Sequence, residues 1–320
     1  MTNLKPLIAV IIVNYNTQQL TRDCLSSLFK IQADSFEYQT IVVDNGSLDN
    51  FSIPKKWGKK PVEVIRTEAN LGFTGGNNLG ISHAVKEYNP DYFLLLNSDT
   101  EVRPDFLEKL YQFINQDEET GIVSSKIYFY PGKEYHRDSY QSNQQGQVLW
   151  YAGGVIDWSN LVGFHRGVDE VDRGQFDPFG QLEALDPNFS FDETDFATGC
   201  SMLVRREVVE KVGILDKKYF LYLEDVDLCM RAKQDGFSVK FCPESIVWHI
   251  NAGSSQGAGS ELQQYYLTRN KLLFFFKYGT FRVRLTTFRL MVNKLLRGTR
   301  LERKAVKDYL LGNFGKQPII

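Results

Sequence analysis

The sequence predicts an α/β fold, a mostly parallel sheet flanked by helices, with a basic helical extension at its C-terminal end. Three observations carry this. Over the first 130 residues, short runs rich in Val, Ile, Leu and Tyr alternate with stretches of helical spacing. The runs are apolar on both faces, as strands of a parallel sheet covered by helices are. After Ser255 strand signals cease, and Lys271 to Lys307 carries eleven Lys or Arg residues against one acid, Glu302.

The elements follow in order. Ile8 to Val13 reads as the first strand, and Leu20, Cys24, Leu25, Leu28 and Phe29 lie at helical spacing after it. Further strands are expected at Gln39 to Val43, Val62 to Arg66, Tyr92 to Leu96 and Gly121 to Tyr128. Between them, the glycine-dense stretch Asn70 to Gly80 reads as a loop leading into a helix over Ile81 to Tyr88. Pro104, a good first-turn residue, opens a helix bearing Phe106, Leu107, Leu110, Phe113 and Ile114. From Pro131 to about Asp195 the chain turns to Gly, Gln, Asn, Asp and aromatics. Long loops over a site are expected there, with a hairpin around Val148 to Trp158. Regular structure resumes with a strand at Gly199 to Val204, a helix from Asp225 closed by Gly236, and strands near Val239 and Val247.

Composition bounds the function. The chain has 320 residues, 42% hydrophobic and 24% charged, enough for one large core or two smaller ones. A net charge of −2 argues against an overall polyanion binder, so no nucleic-acid partner is expected. Cys24, Cys200, Cys229 and Cys242 form no CxxC pair, which reads as reduced thiols in a cytoplasmic protein. No uninterrupted apolar segment reaches the roughly 18 residues of a spanning helix.

In an open parallel sheet, ligands bind beyond the carboxyl ends of the strands. Four polar clusters fall at such ends: Asn14-Tyr15-Asn16, Asp44-Asn45-Gly46-Ser47, Asn70 to Gly80, and Asn97-Ser98-Asp99. Each alone is equally turn chemistry. The glycine-dense stretch suits a phosphate at a helix start, yet matches neither a Walker loop nor GxGxxG. Asp99, with Glu101 and Asp105 nearby, offers hard oxygen ligands to a divalent ion, or a cap ahead of Pro104. Glu224 and Asp225 stand where a helix begins, which suits both catalysis and capping. His249 follows an apolar run and is a metal ligand or a core-edge imidazole.

Taken in order across residues 7 to 275, these motifs resemble family 2 glycosyltransferases, particularly the rhamnosyltransferase-like branch. The resemblance rests on Val13-Asn14-Tyr15-Asn16, Val43 to Ser47, Asn70-Leu71-Gly72-Phe73 with Gly75-Gly76-Asn77, and Leu96 to Asp99. It continues through Thr198 to Arg206, Phe220 to Leu228, Trp248-His249 and Tyr265 to Asn270. It implies a GT-A fold over residues 1–255, with a donor-binding half (about 1–130), an acceptor and catalytic half (about 131–255), and an extension at 256–320. It further implies a nucleoside diphosphate sugar donor, with dTDP-rhamnose favoured over a UDP-sugar, and a divalent metal, Mg2+ or Mn2+. The acceptor would be a glycan or a lipid-linked sugar in cell-surface polysaccharide synthesis.

By the same resemblance, Asp44 contacts the nucleotide base with Val13, Tyr15 and Asn16. Asn70, Gly72, Asn77, Asn97 and Ser98 line the donor pocket, Asp99 and His249 hold the metal, and Asp225 is the catalytic base with Glu224 beside it. Asn97 stands where the family's metal motif has its first acid. A sugar nucleotidyltransferase is the rival enzyme, and a nucleotide-sugar or carbohydrate-binding protein without catalysis is the rival from another class. The basic, apolar C-terminal helices suggest peripheral contact with the inner face of the cell membrane, or a helical pair packed on the core.

Overall fold

The computed structural model describes residues 5–57, 60–178, 191–251 and 259–318. It is a GT-A-like α/β fold. Strands β1 (Leu7–Asn14), β2 (Glu37–Asn45), β3 (Val62–Thr67) and β4 (Tyr92–Asn97) are interleaved with helices α1 (Gln18–Leu28) and α2 (Gly72–Glu87). Then come β5 (Thr100–Val102), α3 (Phe106–Ile114), β6 (Thr120–Phe129), β7 (Leu149–Tyr151), β8 (Gly154–Asp157) and β9 (Val162–His165). The chain continues through β10 (Ser201–Arg205), α4 (Arg206–Val212), α5 (Glu224–Gln234) and β11 (Ser238–His249) to α6 (Glu261–Tyr278), α7 (Phe281–Arg297) and α8 (Arg300–Leu311).

One sheet runs β3-β2-β1-β4-β10-β6-β11-β5, with β7 paired to β6. The first four strands are parallel, as are β6 and β11. β10 lies between β4 and β6, antiparallel to both. The buried β1 residues Ile8 to Ile12 explain the apolar run, since helices cover both sheet faces.

Three expected elements differ. The glycine-dense stretch is helical: α2 begins at Gly72, because Gly76 and Gly80 let the helix lie directly on β1. A Cβ on Gly76 would stand 2.8 Å from a Val13 methyl, and one on Gly80 would overlap Ile11. The hairpin lies later than expected, as β8 pairs with β9 while β7 joins the main sheet. Val239 and Val247 belong to one strand, β11, carried past an irregularity between Cys242 and Ile246. Helix α3 starts at Phe106, just beyond Pro104.

The C-terminal helices share the core. Phe274 and Phe275 of α6 pack in the same cluster as the sheet residues, beside Trp158. The expected boundary at 255/256 lies outside the described residues. All four cysteines are buried thiols.

Replacing Gly80 with Val should lower folding stability by about 1–3 kcal/mol, since the added methyls must push α2 off Ile11 and Val43. Urea unfolding followed by circular dichroism reads this directly, and an unchanged midpoint would show that the α2–β1 contact yields without cost.

Candidate functional site

The carboxyl ends of β1, β2 and β4 build the first wall of a cavity of about 460 Å³. It is lined there by Val13, Tyr15, Asn70, Gly72, Asn97, Ser98 and Asp99, with His249 beside Asp99, and further by Glu224 and Asp225. Most of the expected residues therefore meet in one place.

Asp44, Asn16 and Asn77 lie outside this lining. The Asp44 carboxylate accepts from Asn14 Nδ2 at 3.0 Å and the Phe51 amide at 2.9 Å, and pairs with Arg66. Burial pushes its pKa up, but hydrogen bonds from Ser47, Phe51 and Asn14 and the Arg66 charge outweigh this and hold it below its ordinary value. Asn16 Oδ1 accepts from the Leu48 amide at 2.8 Å. These groups tie the β1 and β2 loops together. Asn77 donates to the Phe73 carbonyl within α2.

The start of α2 is no open phosphate cradle. The Leu71 amide donates to Asn45 Oδ1, the Gly72 amide to Asn70 Oδ1, and the Thr74 amide to the Phe220 carbonyl. Gly72, at φ +75°, is required there, because a Cβ would collide with Phe220.

At the end of β4, His249 Nε2 stands 3.1 Å from Asp99 Oδ1 and 3.4 Å from the Asn97 side-chain nitrogen. β11 delivers His249 by pairing with Thr100 of β5. Its Nδ1 is buried and makes no hydrogen bond within the protein. The Trp150 indole meets the imidazole edge-on, with centroids 4.6 Å apart, and also meets His165 at 4.4 Å. Burial pushes the pKa of His165 down to about 4, against the bond to the Trp150 carbonyl, so this ring is neutral at pH 7. Glu101 is exposed and Asp105 pairs with Arg103, so neither joins Asp99.

Among the described residues, no three His, Cys, Asp or Glu side chains cluster to hold a metal ion. Asp99, His249 and the Asn97 amide still fit a divalent cation that takes its remaining ligands from a diphosphate and water. The buried Nδ1 marks the ring as one with bonding capacity to spare.

Asp225, also in the cavity lining, sits in the first turn of α5, where the helix dipole favours a carboxylate. Its oxygens accept from the Gly199 amide at 3.0 Å and the Val226 amide at 2.8 Å. Burial raises its pKa, and the amides offset only part of that rise. Glu224 is raised further by burial and then by the Asp225 charge, and its Oε2 makes no hydrogen bond within the protein. Glu224 is thus held towards its neutral acid form. The third acid, Asp227, is structural: Arg231, Lys277, Tyr219 and Tyr278 all bind its carboxylate.

The turn that presents this pair is strained. Phe220, Tyr222 and Leu223 have φ of +66°, +71° and +70°, each costing a non-glycine residue about 1–2 kcal/mol. Buried Asn270 of α6 holds it with one amide group, which donates to the carbonyls of Tyr219, Leu221 and Tyr222 at 2.8–3.0 Å. Arg269, also buried, donates to the Lys218 and Tyr219 carbonyls at 2.9 Å.

Sequence reasoning missed Trp150, His165 and Thr198 in the lining. Trp150 and His165 come from the polar, aromatic 131–195 region, where loops over a site were expected but no residue was singled out. A histidine among aromatics was the available signal.

The profile of the family described as "Glycosyl transferase family 2" matches residues 9–213. A low-salt glycan biosynthesis hexosyltransferase of Haloferax volcanii is 24% identical over 83% of this chain and 74% of its own length. A rhamnosyltransferase of Escherichia coli is 25% identical over 74% of this chain and 81% of its own. An N-acetylglucosaminyl-diphospho-decaprenol L-rhamnosyltransferase of Mycobacterium tuberculosis is 25% identical over 80% of this chain and 78% of its own. Among solved structures, a Pyrobaculum calidifontis mannosyltransferase in complex with GDP-Man and Mn2+ covers 99% of this chain and 78% of its own at TM-score 0.53 and 13% identity. An S. aureus TarS structure in complex with UDP-GlcNAc covers 95% and 79%, at TM-score 0.53 and 15% identity.

Asn270→Ala should cost about 1–3 kcal/mol of stability, because it strips donors from buried carbonyls that hold left-handed residues in place. Chemical denaturation measures this, and a loss below about 0.5 kcal/mol would show that Arg269 alone secures the turn.

Proposed function

The chain belongs to glycosyl transferase family 2, and from that premise we propose that it transfers a sugar, rhamnose by preference, from a nucleoside diphosphate to a lipid-linked or polysaccharide hydroxyl. Transfer inverts the anomeric centre. The observation that carries this reading is one cavity whose lining brings together Asp99, His249 and Asp225. A leaving diphosphate and an attacking hydroxyl need separate groups at the sugar, and in this reading Asp99 with His249 serves the first and Asp225 the second.

In this reading, Asp225 takes the proton from the acceptor hydroxyl as its oxygen bonds to the anomeric carbon. The bond from that carbon to the diphosphate oxygen breaks, and its electron pair leaves with the diphosphate. One carboxylate suffices, since a diphosphate departs without a proton. The Gly199 and Val226 amides fix the Asp225 carboxylate, and burial makes it a stronger base than an exposed aspartate. Glu224, kept towards its acid form, donates a hydrogen bond to a sugar or acceptor oxygen. A divalent ion held by Asp99, His249 and Asn97 would neutralise charge on the departing diphosphate. Val13, Tyr15, Asn70, Gly72 and Ser98 border the donor, while Asp44 acts through the loops it braces.

The preference for rhamnose and for a lipid-linked acceptor rests on the names of the E. coli and M. tuberculosis relatives. No helix among the described residues is long and apolar enough to cross a membrane; a lipid-linked acceptor would bring the enzyme to a membrane face, in this reading the inner one.

Asp225→Asn should lower turnover at least about a hundredfold with donor affinity nearly unchanged, and Glu224→Gln should lose less. The acid limb of the pH–rate profile should lie above the ordinary aspartate range. A base with a raised pKa is protonated, and inactive, up to a higher pH. Full activity in Asp225→Asn would move the base elsewhere.

Calorimetry with dTDP and UDP, with and without Mn2+, tests the other flank. Asp99→Ala, and less severely His249→Ala, should weaken the metal-dependent part of nucleotide binding. Equal affinity with and without metal in all three proteins would remove the ion from this reading. Binding of dTDP-rhamnose with neither hydrolysis nor transfer would favour a non-catalytic binding protein.

A further inference from the structure

Helix α7 packs on the protein through Val283, Thr287 and Leu290. At 100° per residue, these three project to one side of the helix. On the opposite side, Phe281, Leu285, Phe288 and Leu296 fall within an arc of about 80° and are 83%, 43%, 51% and 68% exposed. An apolar stripe thus faces directly away from the body it could pack against. Arg284 borders the stripe on one flank, and Arg282 and Arg289 on the other. α7 carries five basic residues, with Lys294 and Arg297, and no acid.

We propose that α7 lies in the headgroup region of an anionic lipid bilayer, its apolar stripe inserted and its flanking arginines on lipid phosphates. The proposal deepens the reading above by placing the enzyme where a lipid-linked acceptor resides. Charge selects the occupant. An acid-free helix with arginines beside exposed phenylalanines complements an anionic surface, and this is the make-up of helices that lie in a membrane interface. A second copy of this chain facing the same helix would set four arginines against four. At 17 residues, the helix is about 25 Å long, and its buried side stays anchored to the protein, so it lies along the surface and does not cross it.

The test is co-sedimentation of the full chain with phosphatidylcholine vesicles, plain or with about a third phosphatidylglycerol, at low and moderate salt. Two double variants alter exposed positions: Phe281→Ser with Phe288→Ser, and Arg282→Gln with Arg289→Gln. Cutting the chain after Tyr278 is avoided, because buried Asp308 of α8 bonds to Tyr265 of α6. The parent should pellet with anionic vesicles, at least about tenfold more strongly than with neutral ones, and each double variant should lose about tenfold or more. Circular dichroism and transfer to a soluble acceptor should be unchanged in both variants.

Equal partitioning of the parent and both variants would overturn the proposal. So would pelleting without lipid, which would make the stripe a contact between copies. Vesicle binding without transfer would leave the docking intact and remove the enzymatic reading. Transfer without vesicle binding would do the reverse.

Discussion

The structure depends on three backbone carbonyls held by one side-chain amide. Phe220, Tyr222 and Leu223 adopt left-handed conformations that side chains disfavour, and unaided such a turn would relax. Asn270 and Arg269, both buried, keep it in shape from α6. Because of that turn, α5 begins at Glu224, with Asp225 aimed into the cavity and the Phe220 carbonyl set on the start of α2. The C-terminal helices are therefore part of the site, although they contribute little surface to it.

The two flanks of the cavity treat their acids differently, and environment decides which does what. Asp99 has a histidine at 3.1 Å and an amide beside that histidine. Glu224 and Asp225 stand side by side at the start of α5, where the Gly199 and Val226 amides donate to Asp225 while Glu224 Oε2 makes no hydrogen bond within the protein. Two adjacent buried carboxyls do not ionise together readily, and burial and then the Asp225 charge push the Glu224 carboxyl well above its ordinary value. Asp227, two residues on, has two cations and is held below its ordinary value despite its burial. Sequence alone shows three acids in four positions. Burial and partners give them three roles.

Much of the fold was legible because its signals are local. Strands buried on both faces leave apolar runs, so Ile8 to Val13 and Tyr92 to Leu96 fall within one or two residues of β1 and β4. The glycines of α2 misled because they serve close packing on β1, a tertiary reason that no turn rule contains. Asp99, His249 and Asp225 were legible as candidates at strand ends and a helix start, each with a capping or core reading beside it, and the ordered set of motifs singled them out. Their meeting depends on pairings such as His249 with Thr100, which leave no trace in local spacing. Trp150 and His165 were illegible for the same reason, since they reach the cavity from short strands in a polar region. The strain at Phe220 to Leu223 was invisible too, because nothing in Phe-Leu-Tyr-Leu suggests positive φ.

β10 has a consequence for how the molecule is made. It fills the middle of the sheet, between β4 and β6, and its Arg205 meets Tyr92 across 113 positions of chain. Until the ribosome has released that strand, β4 and β6 each present a bare edge of unsatisfied amides and carbonyls, a template for wrong pairing. The turn before Asp225 waits longer still, for the arrival of Arg269 and Asn270. Biosynthesis therefore lays down the β1–β4 wall of the cavity first and secures the turn before Asp225 last.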